Sequence, residues 1–207
     1  MTVYLLANNE YDENCYCVLD NGHHCLVIDP GCQAQSVKDF LREEEAELRG
    51  ILLTHGHFDH ITSAQELSEW AGVPIIAAKA EAALLKDPSL NLSAFALNKG
   101  ISLVPTRLVE DGETIDILYE PLQVIATPGH TPGGVCYYME DDGIVFTGDT
   151  LFREAVGRTD FPLSDSEALT KSINERLFVL PPKTEVYPGH GRSTYIAHER
   201  KVHGQAY

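Results

Sequence analysis

The sequence lacks the long apolar runs and the excess of basic residues that mark two large classes of protein. No segment of its 207 residues approaches the ~20 consecutive apolar residues that span a bilayer. The first ten residues carry neither the basic start nor the long apolar stretch of a secretory signal. Lysine and arginine number 15 against 31 acidic residues, a formal net charge of -16 that would repel a nucleic-acid backbone. We therefore expect a cytoplasmic protein that binds neither membranes nor nucleic acids.

Cysteine is sparse and odd in number, which argues against a disulfide framework. The five cysteines are Cys15, Cys17, Cys25, Cys32 and Cys136. All except Cys32 lie in β-like stretches, which is typical of reduced, packed thiols. A zinc cluster built from the first four is the alternative, but a C-x-C pair is tighter than the C-x₂₋₄-C spacing of structural zinc sites. We therefore expect reduced, packed thiols.

The spacing of apolar and turn-forming residues predicts one mixed domain over residues 1–207, with an apolar content of 43% to build its core. Strands are predicted at 3–6, 15–19, 23–28, 49–54, 73–77 and 185–187, and through much of 104–147. Helices are predicted at 36–45, 63–71, 80–85, 166–178 and 194–203, and a long loop at 87–100. The join at Asn21 and Gly22 is of hairpin length, so the strands cannot all be parallel. Sheets packed together with helices outside are expected.

Three imidazoles and one carboxylate lie within six residues, at His55, His57, Asp59 and His60. They follow the predicted buried strand directly, where a rigid scaffold can present functional groups. Gly56 permits the sharp backbone path that turns neighbouring side chains toward one point. Imidazole and carboxylate suit a borderline cation such as zinc. This segment therefore predicts a metal site.

Three further segments repeat the same pattern of a short strand, a turn that contains glycine, and one ligand-type residue. These residues are His130, Asp149 and His190. One histidine or aspartate in such a turn would be uninformative. Four strand-end groups together are a strong signal of a metal centre.

The H-x-H-x-D-H run followed by His, Asp and His resembles the metallo-β-lactamase superfamily over nearly the whole chain. The resemblance implies an α+β fold, a four-layer αββα sandwich with the metals at one edge of the two sheets. It implies that the first metal is held by His55, His57 and His130, and the second by Asp59, His60 and His190, with Asp149 between them. Asp59 is also expected to be catalytic.

Such a site implies a hydrolase with two divalent ions, for which zinc is the first choice and iron or manganese the alternatives. Two adjacent ions lower the pKa of a shared water, and the resulting hydroxide attacks a carbonyl whose oxygen a metal polarises. No serine or cysteine nucleophile is required. The G-x-S-x-G motif of serine hydrolases has no counterpart in the sequence.

Within the superfamily the chain resembles the glyoxalase II-like group, which hydrolyses glutathione thioesters such as S-lactoylglutathione. The resemblance rests on the segments 148–152 and 157–160, and it implies that Arg158 contacts the substrate. The alternative for Arg158 is a structural pairing with Asp160 or Asp165. Arg192 is a second candidate contact. Asp160 stands where glyoxalase II has a tyrosine, and the short segment after His190 leaves no room for that family's helical glutathione-binding domain.

The same motif is compatible with two other activities. Persulfide dioxygenases share the Gly-Arg-Thr-Asp segment and use one iron, for which His55, His130 and Asp149 would be the ligands. A lactone or ester hydrolase is the remaining possibility. The loop at 87–100 is predicted either to cover the site or to pack against the core.

Overall fold

The structure, a computed structural model, describes residues 1–7 and 11–204 and contains two six-stranded sheets. The first sheet has its strands in chain order: β1 (Thr2–Ala7), β2 (Asn14–Leu19), β3 (His24–Ile28), β4 (Glu47–Leu52), β5 (Ile75–Ala78) and β6 (Arg107–Val109). β1, β2 and β3 are antiparallel neighbours, whereas β3 to β6 are parallel. The predicted hairpin at Asn21 and Gly22 is confirmed.

The second sheet is built mostly from the later strands. Its members are β7 (Thr114–Ile115), β8 (Leu122–Ala126), β9 (Val135–Met139), β10 (Ile144–Gly148), β13 (Glu185–Pro188) and β14 (Thr194–Tyr195), in the order β14-β13-β10-β9-β8-β7. β10 and β13 are parallel, and the other neighbours are antiparallel. A small hairpin of β11 (Leu151–Phe152) and β12 (Ala155–Val156) follows β10.

Seven α-helices accompany the sheets in the described part of the chain. They are α1 (Ala34–Glu43), α2 (Phe58–Ile61), α3 (Ala64–Ala71), α4 (Ala82–Lys86), α5 (Ser93–Ala96), α6 (Ser166–Ser172) and α7 (Ile196–His203). A 3₁₀ turn at Lys79–Glu81 precedes α4, and a π turn at Ile173–Leu177 follows α6. No helix in the described residues is both long and apolar enough to cross a bilayer.

The buried side chains form three clusters, and these define the layers. Cys15 and Cys17 of β2 pack with residues of α1 and α3 on the outer face of the first sheet. Tyr16 and Val18 point the other way, into the space between the sheets. A third cluster, which includes Leu169 of α6, packs the outer face of the second sheet. The order is therefore helix, sheet, sheet, helix, and the predicted αββα sandwich is confirmed.

The cysteines occupy these layers as free, buried thiols, as predicted. Within the described residues none of the five belongs to a group of three potential metal ligands. The structure thus gives no support to a zinc cluster of cysteines.

Several element boundaries differ from the sequence predictions for identifiable reasons. The predicted helix at 194–203 begins only at Ile196, because Thr194 pairs with Val186 of β13. The predicted helix at 166–178 is α-helical only to Ser172, and the π turn then continues it. The predicted loop at 87–100 contains the short helix α5.

The two sheets are tied together close to the end of β4. The hydroxyl of Tyr137 in β9 donates a hydrogen bond to the carbonyl oxygen of Leu53, at 2.8 Å, and Tyr137 is fully buried. This bond fixes the segment that leads into the histidine run against the second sheet.

The change Tyr137→Phe should lower the free energy of unfolding by about 1–2 kcal/mol, because it removes the donor to a buried carbonyl. Urea denaturation measures this loss. Tyr138→Phe is the matched control, since Tyr138 is also buried but its hydroxyl has no hydrogen bond within the described residues. Equal losses in the two variants would contradict the account.

Candidate metal centre

Four strands bring the candidate ligands to one edge of the sandwich. The loop after β4 and helix α2 carry the H-x-H-x-D-H run, whereas His130, Asp149 and His190 follow β8, β10 and β13. β8 and β10 run in the same direction because both are antiparallel to β9, and β13 is parallel to β10. The carboxyl ends of these three strands therefore meet at the same edge.

The candidate ligands form compact groups around Asp149. Groups whose ligand atoms all lie within 4.8 Å of one another are His55 with His57 and His130, Asp59 with His60 and His190, and Asp29 with His55 and His60. Asp149 lies between the first two groups: its Oδ2 is 3.5 Å from Nε2 of His130 and 3.6 Å from Nε2 of His190. Its Oδ1 is 3.4 Å from Nε2 of His60. All seven residues singled out in the sequence thus lie together.

Protein acceptors fix the orientation of several imidazole rings. Nδ1 of His130 donates to the backbone carbonyl of Arg158 at 2.8 Å, and Nδ1 of His190 lies 3.2 Å from a backbone carbonyl. Nδ1 of His60 lies 3.2 Å from the carboxylate of Asp29. In each ring the opposite nitrogen, Nε2, faces Asp149. Supporting contacts of this kind set the tautomer of a metal-binding histidine.

Burial keeps the imidazoles of His55 and His57 neutral, which is the form that binds metals. It lowers the pKa of His55 well below its ordinary value. Burial, reinforced by the neighbouring His130, lowers the pKa of His57 to about 3. Burial alone would raise the pKa of Asp149, but the neighbouring histidines, His60 foremost, together outweigh it and hold that pKa well below its usual range. Asp149 is therefore an anion among imidazoles.

The site fits a pair of metal ions because some of its polar atoms are buried and unsatisfied by the described protein. Nε2 of His55, Nε2 of His60 and Oδ1 of Asp149 have no hydrogen-bond partner there. Leaving such atoms unpaired is costly unless a ligand satisfies them. Nitrogen and carboxylate donors suit zinc, iron or manganese.

Comparison with known families agrees with this geometry. Residues 9–190 match the family described as the metallo-beta-lactamase superfamily. The chain belongs to that superfamily. Together with the histidine and aspartate groups, this identifies a metallo-hydrolase and indicates a binuclear metal site.

Relatives in this superfamily extend over nearly the whole chain. A probable metallo-hydrolase of Streptococcus pyogenes is 39% identical, over 98% of this chain and 89% of its own length. The hydroxyacylglutathione hydrolase GloC of Haemophilus influenzae is 30% identical, over 97% of this chain and 96% of its own length.

Solved structures of the superfamily have the same fold. The BLEG-1 B3 metallo-beta-lactamase superposes with a TM-score of 0.92 at 31% identity, covering 97% of both chains. TTHA1623 in a di-iron-bound form has a TM-score of 0.85 at 34% identity, covering 97% of this chain and 98% of its own. ETHE1 from Myxococcus xanthus has a TM-score of 0.78 at 28% identity, covering 98% of this chain and 83% of its own.

Asp29 is a supporting residue of this superfamily site that the sequence analysis missed. It is buried at the end of β3 and accepts hydrogen bonds from the backbone N–H and the hydroxyl of Thr54, at 2.7 and 2.5 Å. It also faces Nδ1 of His60. We therefore regard its grouping with His55 and His60 as a supporting contact. The sequence did carry a signal, because Asp29, Pro30 and Gly31 form another glycine-containing turn at the end of a strand.

Glu81 is a second residue that the sequence analysis missed. Its buried carboxylate accepts hydrogen bonds from the backbone N–H of Gly56 at 2.9 Å and of Gly133 at 2.8 Å. It thus joins the loop that carries His55 and His57 to the turn that follows His130. No local pattern distinguishes this glutamate from an exposed one.

A cavity of about 320 Å³ opens beside the metal centre. The residues that line it are Tyr11, His57, Phe58, Asp59, Leu92, His130, Asp149, Phe152, Arg158, Phe161 and His190. Of the two arginines predicted to contact substrate, Arg158 lines this cavity, whereas Arg192 is exposed and is not among its lining residues. Leu92 lines the cavity, and the neighbouring Asn91 is buried and anchors its loop through a backbone bond to Phe58.

The change Glu81→Gln should lower the free energy of unfolding by about 1–3 kcal/mol, because an amide group cannot accept both backbone hydrogen bonds in the buried site. Urea denaturation of the purified protein measures the loss. Glu66→Gln removes an exposed carboxylate paired with Lys38 and should change stability by less than about 0.5 kcal/mol. A Glu81 variant as stable as that control would contradict the assigned role.

Proposed function

We propose that the chain is a thioester hydrolase of the glyoxalase II type, which cleaves a thioester such as S-lactoylglutathione. The observation that carries this proposal is the pair of histidine and aspartate groups that share Asp149 beside a cavity of ligand size. The relative named hydroxyacylglutathione hydrolase, similar over nearly its full length, supports the choice of substrate class. We also propose a small-molecule substrate and a cytoplasmic location.

His55, His57 and His130 would hold one metal ion and Asp59, His60 and His190 the other, and the carboxylate of Asp149 lies close to both groups. Divalent ions held there, with zinc as first choice and iron or manganese as alternatives, would supply an activated water and polarise a carbonyl oxygen. The protein provides the orientation of the ligands, through the carbonyl of Arg158 and the carboxylate of Asp29.

The residues around the cavity would position the thioester and the attacking water. Asp59 is assigned the catalytic role, because its carboxylate lines the cavity 3.5 Å from Nε2 of His190, where it can orient water. Phe58, Phe152 and Phe161 supply apolar walls that limit the access of bulk water. Hydrolysis adds water across the bond between the acyl carbon and sulfur, and yields a carboxylic acid and a thiol.

Arg158 is the proposed contact for the thiol carrier. Its side chain lines the cavity, and its backbone is bonded to His130. A guanidinium group can hold a carboxylate through two parallel hydrogen bonds. Arg192 remains a weaker proposal, since it is exposed away from the residues that line the cavity.

Persulfide dioxygenase is the second candidate, favoured by one specific segment. Gly157, Arg158, Thr159 and Asp160 match that family's motif. His55, His130 and Asp149 would then hold a single iron. The second group, of Asp59, His60 and His190, favours hydrolysis.

Two assays on the same preparation separate the candidates. Cleavage of S-lactoylglutathione, with two metal ions per chain, is the result expected for the hydrolase. Oxygen uptake with glutathione persulfide, one iron per chain and no thioester cleavage would overturn it.

The change His57→Ala should reduce thioester hydrolysis by at least ~100-fold and lower the metal content from two ions to about one per chain, since losing a ligand costs more than losing a supporting contact. Circular dichroism should report an unchanged fold. His198→Ala is the matched control, because His198 is partly exposed and pairs with Glu154 away from the cavity. Full activity and two ions in the His57 variant would show that the first-metal assignment is wrong.

A further inference from the structure

We propose that Asp160 competes with the substrate for Arg158, and that the cavity therefore favours thioesters of thiol carriers without a carboxylate. This inference rests on the proposed thioester hydrolysis and names the substrate class more closely. It is based on the position and the hydrogen-bond partners of the guanidinium group of Arg158, beside the cavity.

The loop that carries Arg158 is fixed against the metal centre. The backbone carbonyl of Arg158 accepts the hydrogen bond from His130 at 2.8 Å, and the N–H of Gly157 bonds to the carbonyl of Thr150. A Cβ at Gly157 would collide with the carbonyl oxygen of Asp149, so only glycine allows this close approach. The position of Arg158 relative to the metal ligands is therefore set by the backbone.

An aromatic ring places the guanidinium group beside the same ligands. The guanidinium carbon of Arg158 lies 4.6 Å from the centre of the Phe161 ring. That ring in turn lies 5.2 Å from the ring of His57 and 5.9 Å from that of His130. A cation stacked in this way keeps a defined orientation.

Asp160 already occupies one of the two edges through which the guanidinium group of Arg158 can bind a carboxylate. Nε of Arg158 donates to Oδ1 of Asp160 at 2.9 Å, and NH2 donates to Oδ2 at 2.7 Å. This is the bidentate geometry by which arginine recognises carboxylates. The hydrogen bonds from Arg158 lower the pKa of Asp160, so the pair is ionised at neutral pH.

The consequence is that no lysine or arginine among the described residues lines the cavity with its charged group unpaired. Among the described residues that line it, Arg158 is the only lysine or arginine. A substrate carboxylate must either displace Asp160 or bind the second edge of the guanidinium group close to the charge of Asp160, whereas an uncharged carrier meets neither obstacle. Because Arg158 and Asp160 are exposed, their ion pair is weak, and Asp160 opposes the binding of a substrate carboxylate only modestly.

Two thioesters that differ by one carboxylate test the proposal: the S-lactoyl thioesters of N-acetylcysteine and of N-acetylcysteamine. The measured quantity is the ratio of kcat/KM for the acidic thioester to that for the neutral one. In Asp160→Asn this ratio should rise about three- to tenfold over the unchanged protein. In an Arg158→Gln background the same change should alter the ratio by less than about twofold. Equal effects in both backgrounds would overturn the proposal, because general charge repulsion would then explain them.

Glu110→Gln is the matched control. Glu110 pairs with Lys79 at 2.8 Å, with side-chain exposures of 63% and 67%, against 65% and 67% for Asp160 and Arg158. It lies outside the cavity lining, so its loss should leave the ratio unchanged. A rise as large as that in Asp160→Asn would also count against the proposal.

Binding of S-hexylglutathione, a thioether that cannot be hydrolysed, separates this inference from the proposed function. Calorimetry should show about three- to tenfold tighter binding to Asp160→Asn than to the unchanged protein. Tighter binding without thioester cleavage would reject the hydrolase proposal and retain the competition at Arg158. Unchanged binding together with an unchanged ratio would reject the competition and retain the hydrolase.

Discussion

The site depends on a set of buried polar atoms that the protein orients but does not satisfy. His60 is fully buried, its Nδ1 faces Asp29, and its Nε2 lacks a hydrogen bond within the described residues. Oδ1 of Asp149 is also buried and also lacks a hydrogen bond within the described residues. Burying unpaired donors and acceptors costs free energy, so a bound ion that satisfies these atoms would stabilise the arrangement. Membership in the metallo-beta-lactamase superfamily is consistent with that reading.

The rest of the sandwich provides rigidity for this edge. The hydroxyl of Tyr137 ties the second sheet to the end of β4, and Glu81 joins the two loops that carry the first group of histidines. These contacts are hydrogen bonds between buried groups, which are strong in a low-dielectric interior. They hold the loops that carry the ligands against the two sheets. The apolar wall and Arg158 line the cavity beside these ligands, and we propose that they determine which substrates bind.

Sequence patterns predicted the parts of the structure that depend on local signals. A strand, a glycine turn and a ligand residue recur at His130, Asp149 and His190, and the alternation of apolar residues gave the strands that carry them. Glu81 was not predictable, because its partners at Gly56 and Gly133 lie 25 and 52 residues away and are backbone groups. The sequence left two interpretations for Arg158, a contact with substrate or an ion pair with a neighbouring aspartate. The structure shows that Arg158 both lines the cavity and pairs with Asp160.

The central claim is that seven side chains hold two ions with Asp149 between them. Anomalous diffraction at the zinc edge from crystals of the zinc-loaded protein tests it most directly. The account predicts two anomalous peaks per chain, one within coordination distance of His55, His57 and His130 and the other of Asp59, His60 and His190. The carboxylate of Asp149 should contact both. A single peak, or a second peak away from these residues, would contradict the account.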